Sequence, residues 1–163
     1  MVSSLIKNIV RDIIILFVVL AVIWISLTVH FGAAIPFYVV QGESMYPELR
    51  TWDIIVITGN QPFEDVKIGD IIVFDRPKDH DRVVINRVVA IADYDPLTIR
   101  TKGDNNQNSI PGTDWPITEK EYIGTVIHDI PLVGYILQPM TQTPNIYVII
   151  AVIVGVIVVV EMQ

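Results

Sequence analysis

An uncharged run of seventeen residues, Ile13 to Val29 (IIILFVVLAVIWISLTV), constrains this chain more than any other feature. Crossing the hydrocarbon core of a bilayer takes about 20 mainly apolar helical residues, within a range of roughly 17–25. A buried core helix and a cleaved signal peptide compete with that reading. The apolar region of a signal peptide usually spans only about 7–15 residues, although Gly32-Ala33-Ala34 offers small residues of the kind found at cleavage sites. The length favours an uncleaved transmembrane helix over residues 13–30, preceded by a cytosolic tail over residues 1–12.

A second run, Ile146 to Val160, has fifteen residues and no charge. Its β-branched composition suits a strand in water, but strands usually have about 5–6 residues. In lipid the backbone must satisfy its own hydrogen bonds, so the same run reads as a helix. Residues 145–163 are therefore expected to form a C-terminal transmembrane helix. Lys7 and Arg11 precede the first span, and the positive-inside rule places that end in the cytosol. Two spans then leave both termini cytosolic and residues 31–144 outside, in a multi-pass protein of the cell membrane.

These runs account for the composition. The chain is 52% hydrophobic and 18% charged, against roughly 45–50% and about 25% in ordinary soluble domains. Asp12 and Glu161 are the only acids outside residues 31–144, and Lys7 and Arg11 the only basic residues, so the middle domain carries the full net charge of −7. Such a charge describes a solvated surface. With pI near 4.7 and no basic patch, nucleic acid is excluded as a partner. The absence of cysteine excludes a disulfide scaffold, a thiolate zinc site and a cysteine nucleophile.

Between the runs lie short segments rich in Val, Ile and Thr, bounded by Gly, Pro, Asp and Asn. They are Asp53–Thr58, Ile71–Phe74, Val83–Ile91, Leu97–Thr101 and Tyr122–Ile130, and each reads as a strand. Asn105–Pro116 reads as a polar loop. The expected class is mostly β, with five to eight strands in a sandwich or a partly coiled barrel.

Four segments carry candidate chemistry: Gly42-Glu43-Ser44-Met45-Tyr46-Pro47, Gly69-Asp70-Ile71-Ile72-Val73-Phe74, Asn86-Arg87-Val88-Val89 and Thr101-Lys102-Gly103-Asp104-Asn105-Asn106. A serine alone is most often a turn or capping residue. In this order on a membrane-anchored β domain, the set resembles the type I signal peptidases, in their archaeal and endoplasmic-reticulum branch. Ile130-Pro131-Leu132-Val133-Gly134-Tyr135-Ile136 is similar to the closing segment of that family, and the likeness runs from about residue 13 to 136. The style of the motifs points to an archaeal source.

The resemblance implies a signal-peptidase-like coiled β-sheet or partial barrel and a serine peptidase with no metal or cofactor. Its substrates would be secretory preproteins, and association with the protein-export machinery follows. It implies Ser44 as nucleophile. A serine hydroxyl attacks well only when a neighbouring base takes its proton, and backbone N–H groups near Ser44 would hold the oxyanion. Bacterial relatives place a hydroxyl two residues before the nucleophile; here that residue is Gly42, which lets a backbone approach closely. Asp104 matches an aspartate of this branch and would orient the base, as the third member of a triad does; it serves equally well as a turn former. A second family aspartate follows at a spacing this chain does not keep, and Asp114 is the nearest candidate. Phe37–Gly42 leads into Ser44 as a strand along which a peptide would pair. Val39, Val40, Gln41, Gly42 and Met45 are the expected substrate-binding residues.

The base is the conflict. The branch has histidine immediately before Arg87-Val88-Val89, and bacterial relatives have lysine; here the residue is Asn86. An amide donates and accepts hydrogen bonds but stores no proton near neutral pH. His80 lies some 20 Å upstream along an extended strand, in what reads as an exposed hairpin tip. His128 reads as structural, His30 as a boundary residue, and Lys102 reaches the site only if the sheet brings it there. Either Asn86 replaces an original histidine, or the chain is a non-catalytic relative that holds signal peptides without cutting them.

Overall fold

The computed structural model describes residues 2–131 and 133. The second apolar run, expected to span a membrane over residues 145–163, lies outside them, as does most of the closing segment. The described chain divides into two units, one holding the N-terminal helix through Leu27 and the other beginning at Thr28.

Helix α1 covers Val2–Phe31. It starts well before the expected residue 13, because nothing from Val2 onward breaks a helix: there is no Pro or Gly before Gly32. Its portion Ile6–Phe31 is 26 residues long with mean hydropathy 2.8 and is nowhere buried. By length and composition it can cross a bilayer. Gly32 ends it with φ +64°, the left-handed conformation that glycine adopts without penalty just past a helix. The junction is then tied to the β unit. Gly59 N donates to Phe31 O at 2.8 Å, and Asn60 Nδ2 donates to His30 O at 2.9 Å.

The second unit is built on six strands: β1 Phe37–Val39, β2 Ile54–Thr58, β3 Ile71–Asp75, β4 Val83–Tyr94, β5 Leu97–Lys102 and β6 Tyr122–Ile130. They form one antiparallel sheet in the order β1-β2-β6-β3-β4-β5, rather than the two sheets of a sandwich. All five expected strands form, within a few residues of their expected ends. The longest departure is β4, which runs on to Tyr94 and absorbs the extra length through register shifts against β5.

The central strand explains why IIVF reads as a continuous apolar run instead of alternating. A strand covered on both faces has no polar side. Ile72 and Phe74 enter a cluster with Phe63, Val66, Val88, Ile99 and Ile117. Val73 joins Ile55, Ile57, Val40, Met45 and Leu49 in the other. Asn105–Pro116 is irregular as expected, but it is docked rather than solvated. Ile99 and Ile117 exchange backbone hydrogen bonds of 2.8 and 3.0 Å, and Thr101 N donates to Asp114 O at 2.9 Å. The loop thus covers the outer edge of β5.

Candidate active site

The segment after β1 presents Ser44. Val40 bonds back to the β2 side through both backbone groups, to Asp53 O (2.8 Å) and from Trp52 N (3.0 Å). Gly42 then turns the chain at φ +103°, with open space where a Cβ would stand. Its glycine is required by backbone conformation. Met45 and Leu49 are buried, and Leu49 N donates to Met45 O at 2.9 Å. These two apolar side chains pin the turn to the core and leave Ser44 exposed between them and Gly42. Among the described residues no hydrogen bond leaves the N–H of Ser44 or Met45, so both donors are available to an oxyanion.

A second loop braces the first. Asn105 N donates to Ser44 O at 2.8 Å and Asn105 Nδ2 to Glu43 O at 3.1 Å. Gly103 packs so closely that a Cβ there would lie 2.6 Å from Ser44 O. Only glycine allows two backbones to approach this closely. Lys102 serves the same loop: its ammonium donates to Gly103 O at 3.1 Å and to Asn106 O at 2.7 Å.

The two candidate aspartates part company here. Asp104 does not meet Asn86; it pairs with Arg87, receiving Nη2 at 2.7 Å and Nε at 2.9 Å. Arg87 Nη1 also donates to Gly69 O at 2.9 Å. This fork joins three of the four sequence motifs, and it holds the guanidinium pKa above its usual value, chiefly through the Asp104 hydrogen bond.

Asp114 is the aspartate that reaches Asn86. Asn86 lies in β4 opposite Ile72, only 2% exposed, and donates Nδ2 to Asp114 Oδ1 at 2.9 Å. The other carboxylate oxygen accepts Ile110 N at 2.7 Å. Burial pushes the Asp114 pKa up, against the lowering effect of these two bonds and of the Arg82 and Lys102 charges. A carboxylate only accepts, so the Asn86 amide must turn its NH₂ toward Asp114. Its Oδ1 then faces away, buried and without a hydrogen-bond partner among the described residues. A buried unmet acceptor costs about 1–3 kcal/mol.

These groups share one cavity of about 610 Å³. Ser44, Asn86 and Asp114 line it, together with all five expected substrate-binding residues, Val39, Val40, Gln41, Gly42 and Met45. Asp104 and Lys102 do not, nor does any histidine. His80 is exposed beside Glu121, Nε2 to Oε1 3.9 Å, as its hairpin-tip reading anticipated. His128 is exposed near the end of β6 and supports no core. Sequence reasoning missed the bracing role of Gly103, Asn105 and Arg87. The Gly-Asp-Asn turn signal was present, but the partner it braces is set by the fold.

Comparison with known proteins gives the family. Residues 9–104 match the family model described as "Signal peptidase, peptidase S26". The signal peptidase complex catalytic subunit of Fusarium vanettenii is 27% identical over 146 residues, covering 86% of this chain and 84% of its own. That of Sclerotinia sclerotiorum is 28% identical over the same coverage. That of Pyricularia oryzae is 29% identical over 126 residues, 74% of this chain and 73% of its own. These relatives are fungal and lend no support to an archaeal source. With the model covering more than half its length, the chain belongs to the signal peptidase family S26.

Proposed function

We propose that this protein is a membrane-bound signal peptidase built to cleave signal peptides from secretory preproteins through Ser44, present here with its base position filled by Asn86. The observation that carries the reading is the shared cavity of Ser44 and the Asn86–Asp114 pair. Residue 86 donates toward Asp114, and a general base at that position must also carry a lone pair free to accept the Ser44 proton. A neutral imidazole meets both, with N–H on one nitrogen and a lone pair on the other. Such a histidine would take the Ser44 proton while Asp114 fixes its tautomer and stabilises the imidazolium. Asn86 keeps the hydrogen bond to Asp114 and lacks the basicity. Asp104 acts through Arg87 as a brace in this scheme.

Two strand edges left free among the described residues support a peptide as substrate. β1 ends the sheet, and β5 pairs with β4 only from Arg87 onward. Backbone groups alternate sides along a strand. Val40 bonds toward β2, so Val39 and Gln41 turn theirs outward. Arg82 O accepts Arg76 N, and Val88 exchanges bonds with Gly69 and Asp70, so Val83 and Ile85 also face outward. An extended peptide between these edges would gain main-chain hydrogen bonds on both sides.

Anchoring by α1, a second span over 145–163 and an extracytoplasmic domain belong to the same proposal, supported by the apolar length of α1 and the flanking Lys7 and Arg11. The relatives are named as catalytic subunits of a complex, which supports assembly with export components. A second reading, a membrane-anchored protein that binds signal peptides without cutting, is favoured by Asn86 itself.

The test is reconstitution of the full chain and its Asn86→His variant with a preprotein, with products read by mass spectrometry. Cleavage next to the signal segment by the variant, abolished by Ser44→Ala, is expected. No cleavage with retained signal-peptide binding selects the second reading. Full activity of the Asn86 form refutes the base assignment.

A further inference from the structure

Arg82 is the one cationic side chain on the cavity wall among the described residues. It is exposed, no ion pair closes on its guanidinium there, and its charge is felt as far as Asp114. The other charged groups on the wall are Glu43, next to Ser44, and the buried Asp114. The groove is therefore electrically polar along its length, negative at the reacting end and positive at the far end.

Strand polarity sets the spacing. β1 and β2, β2 and β6, β6 and β3, and β3 and β4 are each antiparallel, so β1 and β4 run parallel. Residues 37–42 lead to Ser44 while residues 82–86 lead to Asn86, both in the same direction. Arg82 precedes Asn86 by four residues, some 13 Å at about 3.3 Å per extended residue. A peptide lying between the two free edges advances by the same rise. Its side chain four to five residues from the scissile bond would therefore lie level with Arg82.

Resting on the peptidase reading above, we propose that Arg82 is a specificity-determining residue. It favours peptides with a carboxylate four to five residues from the scissile bond, on the side that occupies the groove, and disfavours a cation there. An exposed pair of this kind supports an affinity change of about two- to five-fold, and salt weakens it. The preference needs no catalysis, so Asn86 does not hide it.

The experiment uses the full chain in detergent with a series of fluorescent signal-segment peptides, neutral or with one Asp or Lys at successive positions before and after the cleavage site. Binding is read by polarisation at low and high salt. A window of one or two positions is expected in which Asp tightens binding about two- to five-fold over neutral and Lys weakens it. Arg82→Gln should flatten the window and Arg82→Glu should invert it, each read as the ratio of Asp to neutral and of Lys to neutral peptide in the same variant. Equal binding of Asp, Lys and neutral peptides at every position overturns the Arg82 proposal while leaving the peptide groove intact. A window that survives Arg82→Glu overturns it also. Failure of every peptide to bind overturns the groove reading and the Arg82 proposal with it.

Discussion

Replacing Gly103 with alanine tests whether the Ser44 turn is held by backbone contact. The new Cβ would stand 2.6 Å from Ser44 O and 3.0 Å from Ser44 Cβ. Ordinary van der Waals contact begins near 3.4 Å, so one of the two backbones must retreat by about 0.8 Å. The obstacle is a carbonyl oxygen, which cannot rotate aside as a side chain would. The same carbonyl accepts Asn105 N at 2.8 Å, and the retreat strains that bond as well. Overpacking of this kind costs about 1–3 kcal/mol. For a chain of this length each 1 kcal/mol lowers Tm by roughly 2–4 °C, so a fall of at least about 2 °C is expected in thermal unfolding of the full chain. A reacting atom misplaced by about 1 Å costs on the order of 100-fold in rate, so in an Asn86→His background cleavage should fall by about one to two orders of magnitude. A Tm within about 1 °C and a rate within about twofold of the parent would refute the close approach and the bracing role built on it.

Two further perturbations probe the polar groups around it. Arg87→Gln removes the fork to Asp104 and Gly69; because both side chains are partly exposed, at 29% and 21%, a loss of only about 1–2 kcal/mol is expected from denaturant midpoints. Arg87→Lys should recover less than half of it, since an ammonium cannot replace a planar fork, and full recovery would show that charge alone matters. Asp114→Asn addresses pH. Burial raises the Asp114 pKa above its ordinary 3.8, so between the two values the native state binds more protons than the unfolded chain. Stability from this group is complete below 3.8 and is lost as pH rises through the raised value. The variant should therefore lose less Tm than the parent between about pH 4 and pH 7, and identical slopes would contradict the assignment.

The legible and illegible parts of this protein divide along the range of the forces involved. Helix and strand positions depend on neighbours along the chain. Ile13–Val29 permits little but a helix, and YIGTVIHDI forms β6 over the residues read from it. Even there, the early start of α1 was missed, because helicity is set by the absence of breakers and hydropathy only says which part meets lipid. The order of chemical motifs was legible for the same reason, and it pointed to Ser44 and to the anomaly at Asn86.

Which aspartate meets residue 86 was not legible. Asp104 and Asp114 are both acids in one polar stretch, and local sequence treats them alike. The bonds from Thr101 to Asp114 and between Ile99 and Ile117 fold that stretch back over β5, which carries Asp114 to a residue 28 positions away. Arg87, turned to the neighbouring position of the same strand, captures Asp104. The sequence by itself determined an apolar helix, a β domain and the ordered motifs that hold Ser44 and Asn86. Only the tertiary structure decided which carboxylate meets residue 86, because a hydrogen bond needs its two atoms within about 3 Å, and packing across the sheet sets that distance.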